Sequence, residues 1–203
     1  MIIEIRSQNP DQRQIKDVID ILNKGGLIIC PTDTVYAAAC KLSNLKGIET
    51  LARQRGKKVH KANFSLLCKN LSNLSTYCQP VSNPVFKLMK QVLPGPFTFI
   101  LKASGEVPRL FRENKKTIGI RVPDNAILQA ILSELDEPLV TTSIHDDDDI
   151  IDYMTDPSDI EGKFRNNVNL VIDGGVGGNM PSTIIDCTTG IPEIIRQGKG
   201  IIE

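Results

Sequence analysis

Long apolar runs are missing from this chain. None approaches the roughly 20 residues a helical membrane span needs, so no membrane partner is expected. The first residues, MIIEIRSQNP, do not present a charged leader, an apolar core and a cleavage site in that order, and the expected location is cytoplasmic. Net charge is missing as well: 24 lysines and arginines balance 24 aspartates and glutamates. That excludes bulk attraction to nucleic acid or membrane, so any basic surface must come from local clustering. Paired cysteines are absent. The five present, Cys30, Cys40, Cys68, Cys78 and Cys187, are odd in number and form no CxxC pair, which disfavours a disulfide framework or a zinc site. Histidine is scarce, with His60 and His145 alone. Neither lies beside a serine or cysteine in a GxSxG-like setting, so no catalytic nucleophile or base is assigned.

What is present is an ordinary globular composition, 40% hydrophobic and 24% charged over 203 residues, enough for one sizeable core. Helical and strand patterns alternate along it. Ile15, Val18, Ile19 and Leu22 recur at helical spacing, with Asn9 as the expected cap, Pro10 in the first turn and Gly25 at the end. A short β-branched strand follows over residues 27–30. Ser43 is expected to open a second helix that buries Ile48, Leu51 and Ala52. FSLLC reads as a strand, NPVFKLMKQV as a helix with Pro84 near its start, and FTFILKA and TIGIRVP as strands. Asp124 is the expected cap of a helix over DNAILQAILSEL. PLVTTS, a short helix over DPSDIEGKF, and NLVID come next. The pair STIIDC and EIIRQG reads as a terminal hairpin. There is no repeat and no low-complexity linker, so one α/β domain with a mixed sheet is expected.

Five segments are candidates for chemistry. In GGLIICPTDTVYAAAC, residues 25–40, a buried strand runs straight into Thr32, Asp33, Thr34 and Tyr36. That describes either a surface turn or the floor of a pocket. RQRGKKVHK, residues 53–61, holds five cations and no acid. Such a cluster suits phosphate, or is a solvated basic surface at a helix end. Arg121 lies within the apolar strand TIGIRVP, with Gly119 on the same face. A covered arginine needs an anion there, either a ligand or a structural ion-pair partner. The glycine-rich GGVGGNM lets backbone approach an anion, yet it lacks the lysine and the following helix of a phosphate-binding loop. The acidic run at His145 and Asp146–Asp149 reads as a solvated loop, because adjacent aspartates cannot all converge on one ion. No metal ligand set is assigned.

Taken in order, PTDTVYAAAC, RQRGKK, PGPFTFILKA, TIGIRVP, TTS, STIIDC and IIRQGKG resemble the YrdC/YciO family over nearly the whole chain. ANFSLLCKNLSNLSTY is most similar to the YciO branch. The resemblance implies one YrdC-like domain over residues 1–203, a twisted mixed sheet and flanking helices around a large basic cavity. It implies threonylcarbamoyl-AMP synthase chemistry, which begins threonylcarbamoyladenosine modification of tRNA. The reactants would be ATP with magnesium, L-threonine and bicarbonate, and double-stranded RNA or tRNA is an implied partner. It implies that Arg53, Arg55, Thr117, Ser143 and Arg196 contact the nucleotide, and that Thr34, Arg121 and Ser182 contact the other substrate. Three positions depart from the family pattern. Arg53 replaces the lysine of KxR, His145 replaces the asparagine of SxN, and Ala37, Ala38 and Ala39 replace GLG. These departures point to weak or altered synthesis. The alternatives are a non-catalytic double-stranded RNA-binding or translation-associated module, and a hydrolase of a related acyl- or carbamoyl-nucleotide.

Overall fold

The computed structural model describes residues 1–59, 62, 64–108, 116–144 and 153–202. His60, Lys61, His145 and the acidic run Asp146–Asp149 lie outside the described residues. Ten strands form one sheet: β1 (Ile2–Glu4), β2 (Ile28–Cys30), β3 (Ala37–Lys41), β4 (Ser65–Leu67), β5 (Phe97–Lys102), β6 (Thr117–Arg121), β7 (Leu139–Ser143), β8 (Leu170–Asp173), β9 (Thr183–Asp186) and β10 (Glu193–Arg196). Their spatial order is β1-β8-β2-β3-β7-β4-β6-β5-β9-β10. Parallel pairs (β1–β8, β2–β8, β4–β6, β5–β9) are mixed with antiparallel ones, including the expected β9–β10 hairpin.

The helices are α1 (Gln12–Asn23), α2 (Leu45–Gln54), α3 (Leu74–Tyr77), α4 (Asn83–Val92), α5 (Ala126–Glu134) and α6 (Pro157–Phe164). Each of the three caps expected from sequence moves by one or two residues. Asp11, not Asn9, accepts from Arg13 N–H and leaves Pro10 outside α1. Asn44, not Ser43, accepts from Gly47 N–H at α2. Asn125, not Asp124, accepts from Leu128 N–H at α5. In each case the cap is the residue directly preceding the helix, whose side-chain oxygen reaches the orphan donors.

The sheet has two unlike faces. Residues opposite each other across a ladder share a face. One face carries Ala38, Cys40, Leu66, Phe99, Ile120, Val140 and Ile185 in the larger core, together with Ile48 and Leu51 of α2 and Val85 and Met89 of α4. The other face is apolar where α1 and α5 lie. There Ile15, Val18, Leu22, Ile127, Leu128 and Ile131 pack on Ile28, Ala39, Leu67, Leu139 and Leu170. Elsewhere this second face is lined with hydroxyls.

Candidate functional site

The registers define that polar face. Ala39 lies opposite Thr141, Thr141 opposite Ser65, Ser65 opposite Gly119, and Gly119 opposite Ile100. Two residues along the same strands, Ser143, Thr117, Arg121 and Thr98 point the same way. Thr141, Ser143, Ser65, Thr117 and Thr98 therefore share the face of Arg121 on four neighbouring strands, where a core sheet would present aliphatics. Gly119 keeps the floor low. A Cβ there would stand 2.7 Å from Ser65 Oγ and 3.2 Å from Thr98 Cγ2.

Arg121 is buried, at 6% exposure. Its Nη2 donates to Asp33 Oδ1 at 2.8 Å and to Thr34 Oγ1 at 3.1 Å. The anion that a covered arginine requires is thus Asp33 of the PTDTVY segment. Burial pulls the guanidinium below its ordinary value, Asp33 opposes that pull, and the positive charge of Arg196 adds to it. The pair is not saturated: Arg121 Nε and Asp33 Oδ2, and Thr141 Oγ1 on the same face, are buried with no hydrogen-bond partner among the described residues. Unmet polar atoms of this kind are uncommon in a folded protein and point to a polar occupant.

The 31–36 segment owes its shape to its hydroxyls. Thr32 Oγ1 donates to Val35 O and accepts from Thr34 N–H, 3.0 Å from Thr34 Oγ1. Tyr36 OH bonds Gly175 O at 2.8 Å and Gly174 N–H at 3.1 Å, which ties the glycine-rich loop over the segment. A Cβ on Gly178 would stand 2.3 Å from Thr34 O, so only glycine permits this approach. From the C-terminal hairpin, Ser182 Oγ meets Thr98 Oγ1 at 2.7 Å, Arg196 Nη2 donates to Ser182 O at 2.7 Å, and Lys199 Nζ donates to Asp33 O at 2.6 Å.

The structure therefore brings together Thr34, Arg121, Ser182 and Arg196. Thr117 and Ser143 share their face; Thr117 is about 13 Å along β6 from Arg121, four strand residues away. Arg55 reaches the end of β7 from the opposite face. Its Nη1 donates to Thr142 Oγ1 and Ser143 O, both at 3.1 Å, beside a cavity of about 420 Å³ that Ala38, Phe164 and Lys163 also line. Arg53 stands apart. It is exposed, next to Thr50, Asn166 and Asn167 in a separate depression. The end of α2 explains the split: Arg53 lies in the last turn and Arg55 is the C-cap, and residues two apart there project in nearly opposite directions. The departures at 37–39 divide too: Ala37 and Ala39 lie on the Arg121 face, whereas the Ala38 methyl lies in the Arg55 cavity.

Sequence reasoning did not single out Asp33 as the counter-ion of Arg121, nor Thr98, Thr141 or Lys199. Thr98 carried a faint signal, as a threonine between two phenylalanines in a strand. Among the described residues no group of three or more His, Cys, Asp or Glu is placed to hold a metal ion, and no helix is long and apolar enough to cross a membrane.

Fold and site together define an α/β protein with a cation-bearing, hydroxyl-lined sheet face beneath a PTDTVY segment. The chain belongs to the Sua5/YciO/YrdC family, whose model, described as Telomere recombination, matches residues 20–198. The YciO protein of Escherichia coli (strain K12) is 42% identical over 200 residues, spanning 98% of this chain and 96% of that protein. The crystal structure of E. coli YciO matches with a TM-score of 0.91 over 99% of this chain and 97% of that one. Threonylcarbamoyl-AMP synthase of Homo sapiens is 29% identical over 188 residues, spanning 87% of this chain and 64% of the enzyme. The crystal structure of P. abyssi Sua5 complexed with L-threonine shares the fold, with a TM-score of 0.85 at 22% identity over 98% of this chain and 57% of that one.

Proposed function

We propose that this chain binds an adenine nucleotide and L-threonine on the polar face around Arg121, as a protein of the threonylcarbamoyl-AMP synthase type with weak synthetic turnover. The observation that carries this reading is the buried Arg121, half satisfied by Asp33 and Thr34 and flanked by Arg196 and Lys199. A carboxylate and a polyphosphate are the anions such a cluster suits. In this reading Arg121, Thr34 and Ser182 hold the threonine, Thr117, Ser143 and Arg196 hold the nucleotide on that face, and Arg55 reaches it from the other side only at the end of β7, through Ser143. Arg53 enters by its place in the motif alone. The cytoplasm is the expected setting.

Magnesium fits as a companion of the phosphates. The carboxylate beside Arg121 is Asp33, whose Oδ1 already serves that arginine, and two further cations stand near it. A magnesium ion held mainly by phosphate oxygens and water needs no further protein ligand. In the synthase reaction the threonine amine adds to carbon dioxide, supplied by bicarbonate, and gives a carbamate. A carbamate oxygen then attacks the α-phosphorus of ATP, and the bond to the β-phosphate oxygen breaks as pyrophosphate leaves. Both partners are anions, so fixed cations and hydroxyls contribute by screening and alignment without a side-chain nucleophile. Turnover is weak in this reading because Arg53 points away from the polar face, the methyl group of Ala37 stands on it, and the motif carries His145.

A second reading rests on the exposed row Arg53, Lys57 and Lys58 at the end of α2, which suits the phosphates of double-stranded RNA or tRNA. Threonine- and bicarbonate-dependent pyrophosphate release from ATP, measured beside ATP binding, tests the first reading. The expected result is ATP binding with slow or undetectable release, and a gain in release when Arg53→Lys is combined with His145→Asn. Absence of ATP binding together with salt-sensitive RNA binding would favour the second reading. Robust release by the parent would refute weak turnover.

A further inference from the structure

β10 ends the sheet. β9 lies on one side of it, and among the described residues nothing pairs with the other. All four of its residues are exposed. A free edge offers unpaired N–H and C=O groups to any extended chain, and proteins usually blunt such edges with charge or proline. This edge carries two adjacent isoleucines at its centre, Ile194 at 46% and Ile195 at 53% exposure.

The register assigns the faces. Glu193 lies opposite Asp186, Ile194 opposite Ile185, and Arg196 opposite Ile184, with a bulge between Ile194 and Arg196. Residues 184 and 186 point to one face of β9, so Glu193 and Arg196 share that face and Ile194 takes the other. Glu193 thus faces a like charge across the ladder, an unfavourable arrangement by itself. The described residues give it no ion-pair partner.

We infer that a second copy of this chain occupies the edge, with its β10 antiparallel to the first. The segment Glu193-Ile194-Ile195-Arg196 is self-complementary in that arrangement. In this pairing the bulge turns the unpaired Ile195 to the face of Ile194; with the two-fold axis between residues 194 and 195, Glu193 of each copy then faces Arg196 of the other, and Ile194 faces Ile195. The pairing supplies the cation that Glu193 and Asp186 lack, and it removes four isoleucine side chains from water. Slipping by one residue would set charge against isoleucine, so the pattern also specifies the register. Charge complementarity of the strand with itself favours a second copy over an unrelated peptide. Arg196 also donates to Ser182 O, so the dimer brings a carboxylate of the second copy beside a cation of the candidate site. The contact stands independently of the proposed function.

The bulge and the four-residue length keep the interface below the standard size, so a reversible dimer is expected, with a dissociation constant on the order of tens of micromolar. Sedimentation velocity from about 5 µM to about 500 µM, a range that brackets that constant, should show monomer giving way to dimer. Ile195→Lys and Glu193→Arg should each weaken the dimer about tenfold or more, since one replaces the apolar contact with Ile194 by a charge and the other sets arginine against arginine. Glu193→Arg combined with Arg196→Glu should restore association, because it exchanges the charges within the same register. A single monomeric species over the whole range would overturn the proposal, including where β10 instead captures an extended peptide. So would a dimer indifferent to both single variants. Failure of the charge exchange to restore a dimer that Glu193→Arg abolishes would overturn the antiparallel register.

Discussion

Asp33→Ala removes the counter-ion of a cation that cannot leave the interior. The two side chains are 7% exposed each and meet at 2.8 Å, so solvent screens the pair little. The remaining Arg121 keeps Thr34 Oγ1 as a neutral acceptor but loses its compensating charge. Breaking a buried pair by deleting one partner costs about 3–5 kcal/mol. For a chain of this length that corresponds to a fall in Tm of about 6–20 °C. Removing both charges in Asp33→Ala with Arg121→Met leaves no orphaned ion, so the double variant should lose less stability than the two single losses added together. A ligand signature accompanies this. Arg121 in Asp33→Ala lacks an internal anion, so added ATP or inorganic phosphate should raise Tm by more than in the parent. Thermal melts of the parent and three variants, with and without ATP, provide both readouts. The reasoning is refuted if Asp33→Ala melts within about 2 °C of the parent, a difference under 1 kcal/mol. Strictly additive losses would refute it as well.

Gly178→Ala should force the glycine-rich loop off Thr34, because its Cβ would stand 2.3 Å from Thr34 O; calorimetry with threonine and ATP should show affinity lost, while circular dichroism stays that of a folded chain. Arg55→Ala removes a charge-assisted donor pair from the end of β7, and a loss of about tenfold or more in ATP affinity is expected; unchanged affinity would remove Arg55 from the nucleotide site. Burial pushes the thiols of Cys30, Cys40, Cys68 and Cys78 up to about 12 from an ordinary value of 9.0. The folded state therefore favours the neutral thiols. Their stabilising contribution is fully present below about pH 9 and is lost as pH rises towards about 12. Urea denaturation at pH 7, 9 and 10.5 should show stability falling across the last interval, and alkylation at pH 8 should be slow until the chain unfolds.

Five of the six described helices were legible because burial follows their period: Ile15, Val18 and Leu22 lie buried on one side of α1 as their spacing requires; the one-turn α3 is too short to show a period. β3 was not, since Ala37-Ala38-Ala39-Cys40 lacks β-branched or aromatic residues. It is a strand because β2 and β7 clasp it on both sides, a tertiary fact with no local signal. Arg121 was visible as a lone charge in an apolar strand, but its partner lies 88 residues earlier, and no periodicity links the two. Thr98 and Thr141 look like ordinary strand residues until the register places them on one face. Arg53 and Arg55 read as one motif, yet the end of α2 turns them apart. The expected caps missed by a residue or two because each helix start offered neighbouring residues able to cap.

The most direct test is a crystal structure of this chain with ATP, magnesium and L-threonine. The account predicts the threonine carboxylate within hydrogen-bond distance of Arg121, Thr34 and Ser182, and the phosphates on the same sheet face beside Arg196. Ligand bound on the opposite face, or an unoccupied polar face at saturating concentrations while ligand sits elsewhere, would contradict it.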